Sequence, residues 1–346
     1  MLYATTRNQK ETYTAQRALC EKRAPDGGFY VPFRHPAFDP EALEALEGKP
    51  FRDTAAELIN LLFNTRLSGW DLEFTLGKQP IRLCPVGRRT LSCERWRNPG
   101  WCFEGLVKDL VKKIRADQSG RDCGSWAQVG TGIALLFAAF SQIRREGFLE
   151  PGQSMDVAAA SENLFSTVSA LYAKAWGLPI GTVVVGCNDN SCLWDLLHNG
   201  QMRTGGVSVH TLTPEADFIL PEGMEMLLWL CGGQREAQRY LEAAAVGKTS
   251  IPMDQTLQNL RSNLAVSVIS DKRVLSTIPT AYATHHYLMS PYGALAYAGL
   301  LDYRAGSGTG GWGMILCDRG PSLDRTVIAR ALGVSDQRAG EILNNL

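Results

Sequence analysis

Met155-Asp156-Val157-Ala158-Ala159-Ala160, then Asn163 to Trp176, then Thr182-Val183-Val184-Val185-Gly186 is the stretch that decides the fold. The first run is short and apolar, with the length of a buried strand. The second reads as a helix, and the third is a β-branched strand that ends on a glycine. Strand, helix and strand in succession make a parallel pair, because the helix carries the chain back across the sheet. Outward from there the alternation continues. Ile133–Arg145 reads as a buried helix and Cys192–Asn199 as another, while Met314–Cys317 is a buried-type strand and Ser322–Leu332 a capped final helix. Helices are also expected at Pro40–Leu46, Arg52–Phe63, Met224–Cys231, Gln234–Ala245, Met253–Ser262 and Ala294–Leu301. Short strands are expected around Ile81–Val86 and Thr90–Arg95. The expected fold class is α/β with a layered parallel sheet.

Local chemistry supports several of these elements. In Phe103–Arg115, Leu106, Val107, Leu110, Val111 and Ile114 form one face, with Lys108, Lys112 and Lys113 opposite. Asp53 and Thr54 are candidate caps for the helix near Arg52. Ala24-Pro25-Asp26-Gly27-Gly28-Phe29-Tyr30-Val31-Pro32 reads as a turn followed by a short extended piece. Gln118–Gly124 is polar and turn-rich, the composition of a loop. No internal repeat is visible.

Composition narrows the function classes. The 346 residues suffice for roughly two domains. Lys+Arg and Asp+Glu both number 35, so no global field recruits nucleic acid or an anionic membrane. The longest apolar run, Ile133 to Phe140, is far shorter than the ~20 residues of a spanning helix. The first residues lack the layout of a secretory signal, and nine scattered cysteines suit a reducing cytoplasm. Cys187 and Cys192 have no second pair or histidine cluster nearby, so no metal site is expected.

Four separated blocks resemble the threonine synthase family. Ala24 to Pro32 is similar to its N-terminal Ala-Pro-Asp-Gly-Gly-Leu-(Tyr/Phe)-Val-Pro. Thr211-Leu212-Thr213-Pro214-Glu215-Ala216-Asp217-Phe218, with Pro221 and Glu225 behind it, resembles Thr-Leu-Ser-Pro-Ala-Met-Asp-Ile and the segment that follows. Asp189 to Gly200 resembles the family's Asn-Asp-…-Gly segment, and Ser290 to Ala298 its late Asp-Pro-His-Thr-Ala-Val-Ala-Tyr-Ala block. The resemblance implies the type II pyridoxal-phosphate architecture, like the tryptophan synthase β chain, with a reduced small domain. The implied division is a family-type N-terminal domain over 1–85 and a large domain over 86–346, with the truncated small-domain region around 105–150.

The departures fall where the family holds its cofactor, pyridoxal phosphate. Trp96-Arg97-Asn98-Pro99-Gly100-Trp101-Cys102-Phe103-Glu104-Gly105 resembles the segment Phe-His-Gly-Pro-Thr-(two residues)-Phe-Lys-Asp. The family's lysine carries the cofactor as a Schiff base, and Glu104 stands at its position; a carboxylate cannot form an imine. Arg97 replaces the histidine and Gly100 the threonine. The family's phosphate loop, Ser/Thr-Gly-Asn-Phe-Gly, is matched by Ser161-Glu162-Asn163-Leu164-Phe165-Ser166. Both glycines are gone, and Glu162 opposes a phosphate dianion. Tyr292 replaces the histidine of the late block, and Leu316 to Pro321 replaces the family's late Thr-Ala-His-Pro-Ala-Lys-Phe segment. Between Glu104 and Ser161 the family carries far more chain, including a Ser-Gly-Asp-Thr-Gly loop that nothing here matches.

Two rescues of the lost chemistry are open. Lys108 lies one helical turn beyond Glu104 and mimics the lost lysine; the plainer reading is a Glu104–Lys108 ion pair on a solvated face. Glu104 as a general acid or base, with Arg97 and His198, competes with a glutamate favoured by the helix dipole. His285-His286, in an extended stretch, would face opposite ways. Gly306 to Gly311 reads as a flexible hairpin or lid, and the tail from Ile328 to Leu343 sounds like a helix-turn-helix.

The expectation is a threonine synthase-like protein, in the cytoplasm, that has lost cofactor binding and phosphohomoserine lyase activity and serves in binding or regulation. The alternative is a divergent lyase acting on O-phosphohomoserine or a related anionic amino acid. Glu104 is expected to be catalytically silent, Lys108 is the alternative amine, and Ser161 and Asn163 are the remnant of the phosphate loop. The partners weighed are a small anionic ligand, a second copy, or an active paralogue; nucleic acid and membrane are not expected.

Overall fold

A computed structural model describes residues 1–97, 102–115 and 123–346. The N-terminal part is a three-stranded antiparallel sheet, β1 (Leu2–Thr5) flanked by β2 (Tyr13–Thr14) and β3 (Tyr30–Pro32), with four helices as far as Leu76. The turn before β3 closes with Gly27 N–H donating to the Ala24 carbonyl at 2.8 Å, and Gly27 takes φ +76°, as its type demands. The helix near Arg52 spans Phe51–Phe63 after Pro50, with no side-chain cap. Asp53 therefore sits in the first turn instead of capping.

The main sheet has six strands in the order β4 (Leu83–Pro85), β5 (Thr90–Glu94), β9 (Trp312–Cys317), β6 (Met155–Ala160), β7 (Ile180–Cys187) and β8 (Leu264–Val268). All neighbours run parallel except the edge pair β4 and β5. The expected division after residue 85 cuts through this antiparallel pair, so the main sheet begins before it. Strand alternation divides the interior between two faces. Val157, Ala159, Val183, Val185, Met314 and Leu316 join one core with Phe51–Phe63, Ser125–Arg145 and Leu164–Ala175. Ala158, Ala160, Val184, Ile315 and Cys317 join the other, under Asp271–His285, Pro291–Ser307 and the two C-terminal helices.

The two helices expected at Met224–Cys231 and Gln234–Ala245 are present and meet at a break at Gly233, whose φ of +77° leaves the helical region. Other elements differ from expectation. Gly306 to Gly311 is the end of Pro291–Ser307, capped by left-handed Gly308, and leads straight into β9, so it is no hairpin. His285 ends a helix and His286 caps it, in place of an extended stretch. Ser125–Arg145 is long and apolar enough to cross a membrane, with a mean hydropathy of 1.3, yet 94% of that window is buried inside the molecule. It is a core helix. The tail helices bury Ile328 and Leu343 in the second core. In the small-domain region the chain passes from Phe103–Arg115 to Ser125–Arg145 with little sequence between; the expected loop at Gln118–Gly124 lies largely outside the described residues.

Candidate functional site

Because β9 lies between β5 and β6, the carboxyl ends of these three strands stand side by side. In open α/β sheets that edge gathers ligands, since the loops leave there. The residues following the strands are Arg95 after β5, Asp318 and Arg319 after β9, and Ser161 to Asn163 after β6. The start of Phe103–Arg115 closes against them: the Phe103 N–H donates to the Asp318 carbonyl at 2.8 Å, and Cys102 bridges to Arg319. An open cleft of about 340 Å³ results, lined among others by Lys22, Glu104, Glu162, Asn163, Glu222, Asp318 and Arg319.

Asp318 is the best-held group of this edge. Arg95 donates from Nε to its Oδ1 at 2.7 Å and again from Nη2. Its Oδ2 accepts from the Asn163 amide at 3.0 Å and the Ser166 hydroxyl at 2.6 Å. Arg95 is 2% exposed and lies over the Phe103 ring, its carbon 4.2 Å from the centroid. The loop that resembles a phosphate loop thus donates to a carboxylate of its own chain.

The lining is acid-rich: Glu104, Glu162, Glu215, Glu222 and Asp318 against Lys22 and Arg319. Lys22 pairs with Glu222 at 3.1 Å, and Arg319 sits between Glu215 at 3.6 Å and Asp324 at 3.9 Å, over the Tyr292 ring. Burial, reinforced by Asp318, pushes Glu162 up to about 8, and among the described residues its Oε2 has no hydrogen-bond partner. Burial also pushes Asp324 up to about 6.

The residues singled out from sequence divide between places. Glu104 lines the cleft mouth and pairs with Lys108 at 2.7 Å, their side chains 57% and 46% exposed. The Glu104 hydrogen bond raises the Lys108 pKa. Lys108 does not line the cleft. Asn163 does, whereas Ser161 is buried beside the Cys187 thiol, which burial pushes up to about 12. Arg97 turns away to Glu94 at 2.6 Å, and His198 stacks on Trp194, so neither joins Glu104. Among the described residues no His, Cys, Asp and Glu cluster is fit for a metal. Arg95 and Asp318 escaped notice because their meeting depends on strand order; the one signal was that Asp318 follows a buried strand.

The comparisons with known proteins agree with this geometry. The family model for the threonine synthase N terminus matches residues 2–78. Threonine synthase-like 1 of Homo sapiens is 23% identical over 177 residues, 50% of this chain and 24% of that protein. Threonine synthase of Saccharomyces cerevisiae is 23% identical over 216 residues, 54% of this chain and 40% of that one. The matches thus span about a quarter of the first relatives' length. Among solved structures, yeast threonine synthase superposes with a TM-score of 0.84 at 15% identity, covering 100% of this chain and 94% of that one. The pyridoxal-phosphate-bound threonine synthase from Brucella melitensis gives 0.83 at 17%, covering 96% and 92%. The fold is that of the pyridoxal-phosphate-dependent threonine synthases. Within that class, the N-terminal residues 2–78 match the threonine synthase family model, and the chain is similar to threonine synthases and threonine synthase-like proteins at low identity.

Proposed function

We propose that this chain is a threonine synthase-like protein without pyridoxal-phosphate chemistry, retained for binding or regulation. The observation that carries the reading is Asp318, held by Arg95, Asn163 and Ser166 at the loop similar to the family's phosphate loop. The residues present do not fit the cofactor. An imine needs an amine inside the cleft, and Glu104 stands at the family's lysine position. Lys108 is solvated, paired and held protonated, the opposite of a desolvated nucleophile. Lys22 is 62% exposed and engaged by Glu222. A phosphate dianion would meet the Asp318 carboxylate and the acid-rich lining.

The same lining disfavours the small anionic ligand that the family resemblance suggests. It equally weakens the reading as a divergent lyase on O-phosphohomoserine. None of the nine cysteines forms a disulfide among the described residues, which supports a reducing, cytoplasmic setting. Incubation with O-phosphohomoserine and pyridoxal phosphate tests the proposal: no threonine is expected, and turnover above the uncatalysed rate would restore the lyase. Pull-down of a second copy or an active paralogue tests the partner role.

A further inference from the structure

A groove of about 440 Å³ opens beside the N-terminal sheet, a size that suits a small ligand, and it shares no residue with the cleft. β1 and the residue after β3 build it: the Phe33 N–H donates to the Leu2 carbonyl at 3.0 Å, which sets the two residues side by side. Leu61 and Pro36 extend the apolar walls. Leu2, Phe33 and Leu61 are 53%, 43% and 40% exposed, so these walls face solvent. Arg34 and His35 line the same groove, and no carboxylate does. The Arg34 guanidinium has no ion-pair or hydrogen-bond partner among the described residues. Glu57, one helical turn before Leu61, is already taken by Lys49. The His35 ring is fixed in orientation and tautomer. It lies near-parallel to the Tyr172 ring at 5.6 Å and to the Trp229 ring at 6.5 Å. The Trp176 indole, which can only donate, gives its N–H to His35 Nδ1 at 3.0 Å. Burial pushes the His35 pKa down, so the ring is neutral and its proton sits on Nε2. Trp176 is fully buried, so Nδ1 faces the interior. His35 itself is exposed, and its Nε2–H points away from Trp176 with no partner among the described residues.

We infer that this groove binds an aliphatic monocarboxylate, its carboxylate on Arg34 and the His35 Nε2–H and its chain along Leu2, Phe33 and Leu61. Charge complementarity selects the headgroup. Arg34 is the one charged side chain of the lining, and a guanidinium meets a carboxylate through parallel N–H donors. A neutral imidazole adds a donor without adding charge. An ammonium headgroup would meet the like charge of Arg34. The apolar walls select a hydrocarbon body over a sugar or a phosphate ester. A second copy of the chain is a poor occupant, because these few half-exposed side chains fall far short of the roughly 800 Å² per copy of a stable dimer.

The inference is independent of the proposed loss of cofactor, and its test uses the whole chain with no cofactor added. By calorimetry, octanoate is expected to bind, with octanol and octylammonium weaker by about tenfold or more. Arg34→Gln is expected to weaken octanoate about tenfold, and His35→Asn, whose amide oxygen can still accept from Trp176, to weaken it severalfold. Leu61→Glu puts a carboxylate on the wall and is expected to abolish binding with an unchanged circular dichroism spectrum; Arg34, being exposed, can be changed without risk to the fold. Absence of binding at about 10 mM octanoate would overturn the inference. Octanol binding as tightly as octanoate would overturn the role of Arg34 and His35. Affinity untouched by both Arg34→Gln and Leu61→Glu would place the ligand elsewhere, and the site would be abandoned. A peptide with a free C-terminal leucine that binds about tenfold tighter than octanoate would make the occupant a partner protein's carboxyl terminus and overturn the free acid.

Discussion

The Arg95 guanidinium and the Asp318 carboxylate form a buried ion pair, Nε to Oδ1 at 2.7 Å, that ties the end of β5 to the end of β9. Asn163 and Ser166 complete the carboxylate's shell from the end of β6. An internal anion thus organises the carboxyl edge of the sheet, beside the loop that resembles the family's phosphate loop.

Asp318→Ala leaves the Arg95 charge buried and uncompensated, and should destabilise the fold by about 3–5 kcal/mol. Replacing both partners together with apolar residues of similar volume should recover most of that loss. Urea unfolding of both single variants and the double variant measures this; a double-variant loss equal to the sum of the single losses would show that the pair is not coupled.

Glu162 predicts a pH dependence. Its folded-state pKa of about 8 lies above the ordinary 4.5, so between those values the unfolded chain releases a proton that the folded chain keeps. Stability is therefore fully present below pH 4.5 and falls as pH rises towards 8, with a slope of at most about 1.4 kcal/mol per pH unit. Water reaching the half-buried side chain reduces that slope. Glu162→Gln should flatten this part of the profile, leaving the smaller effect of Asp324, which has the same sign and ends near pH 6. Superimposable wild-type and variant profiles over pH 5–8 would contradict the assignment.

Glu104 makes a solvated helix pair, so Glu104→Ala should cost less than about 0.5 kcal/mol. Glu104→Lys returns the family's residue type but leaves Glu162 and Asp318 in place. It should not give a cofactor-binding protein, as a borohydride-reduced sample and peptide mapping would reveal.

The reach of sequence reasoning is uneven for physical reasons. Thr182–Gly186 reads as a strand because its β-branched run can do little else; the helix expected at Ala294–Leu301 begins earlier because Ser290 caps it and Pro291 starts it. The strand Leu264–Val268 escaped, since Ala265 and Ser267 dilute a five-residue signal that follows a helix directly. Asp271–His285 escaped because Pro279 and its threonines argue against a helix, yet Ser270 caps it and Val274, Ile278 and Ala281 bury one face. At the site, Glu104 and the altered loop were legible as local departures. The Arg95–Asp318 contact was not, because residues 223 positions apart meet only through the order β5, β9, β6.

Gly186 on β7 allows Pro291–Ser307 to lie against the sheet. A Cβ there would stand 2.1 Å from the Leu295 carbonyl oxygen, a backbone atom that cannot step aside. Gly186→Ala should cost about 2–3 kcal/mol through displacement of the helix. Thermal unfolding checks this, and an unchanged midpoint would mean that the contact is looser than described.

The most direct measurement of the central claim is the absorbance spectrum of the purified protein titrated with pyridoxal phosphate, before and after borohydride. We predict a spectrum equal to the sum of free cofactor and protein, with no adduct on Lys22 or Lys108 after reduction. A new visible band that borohydride bleaches, with the label mapped to a lysine of the cleft, would contradict the account.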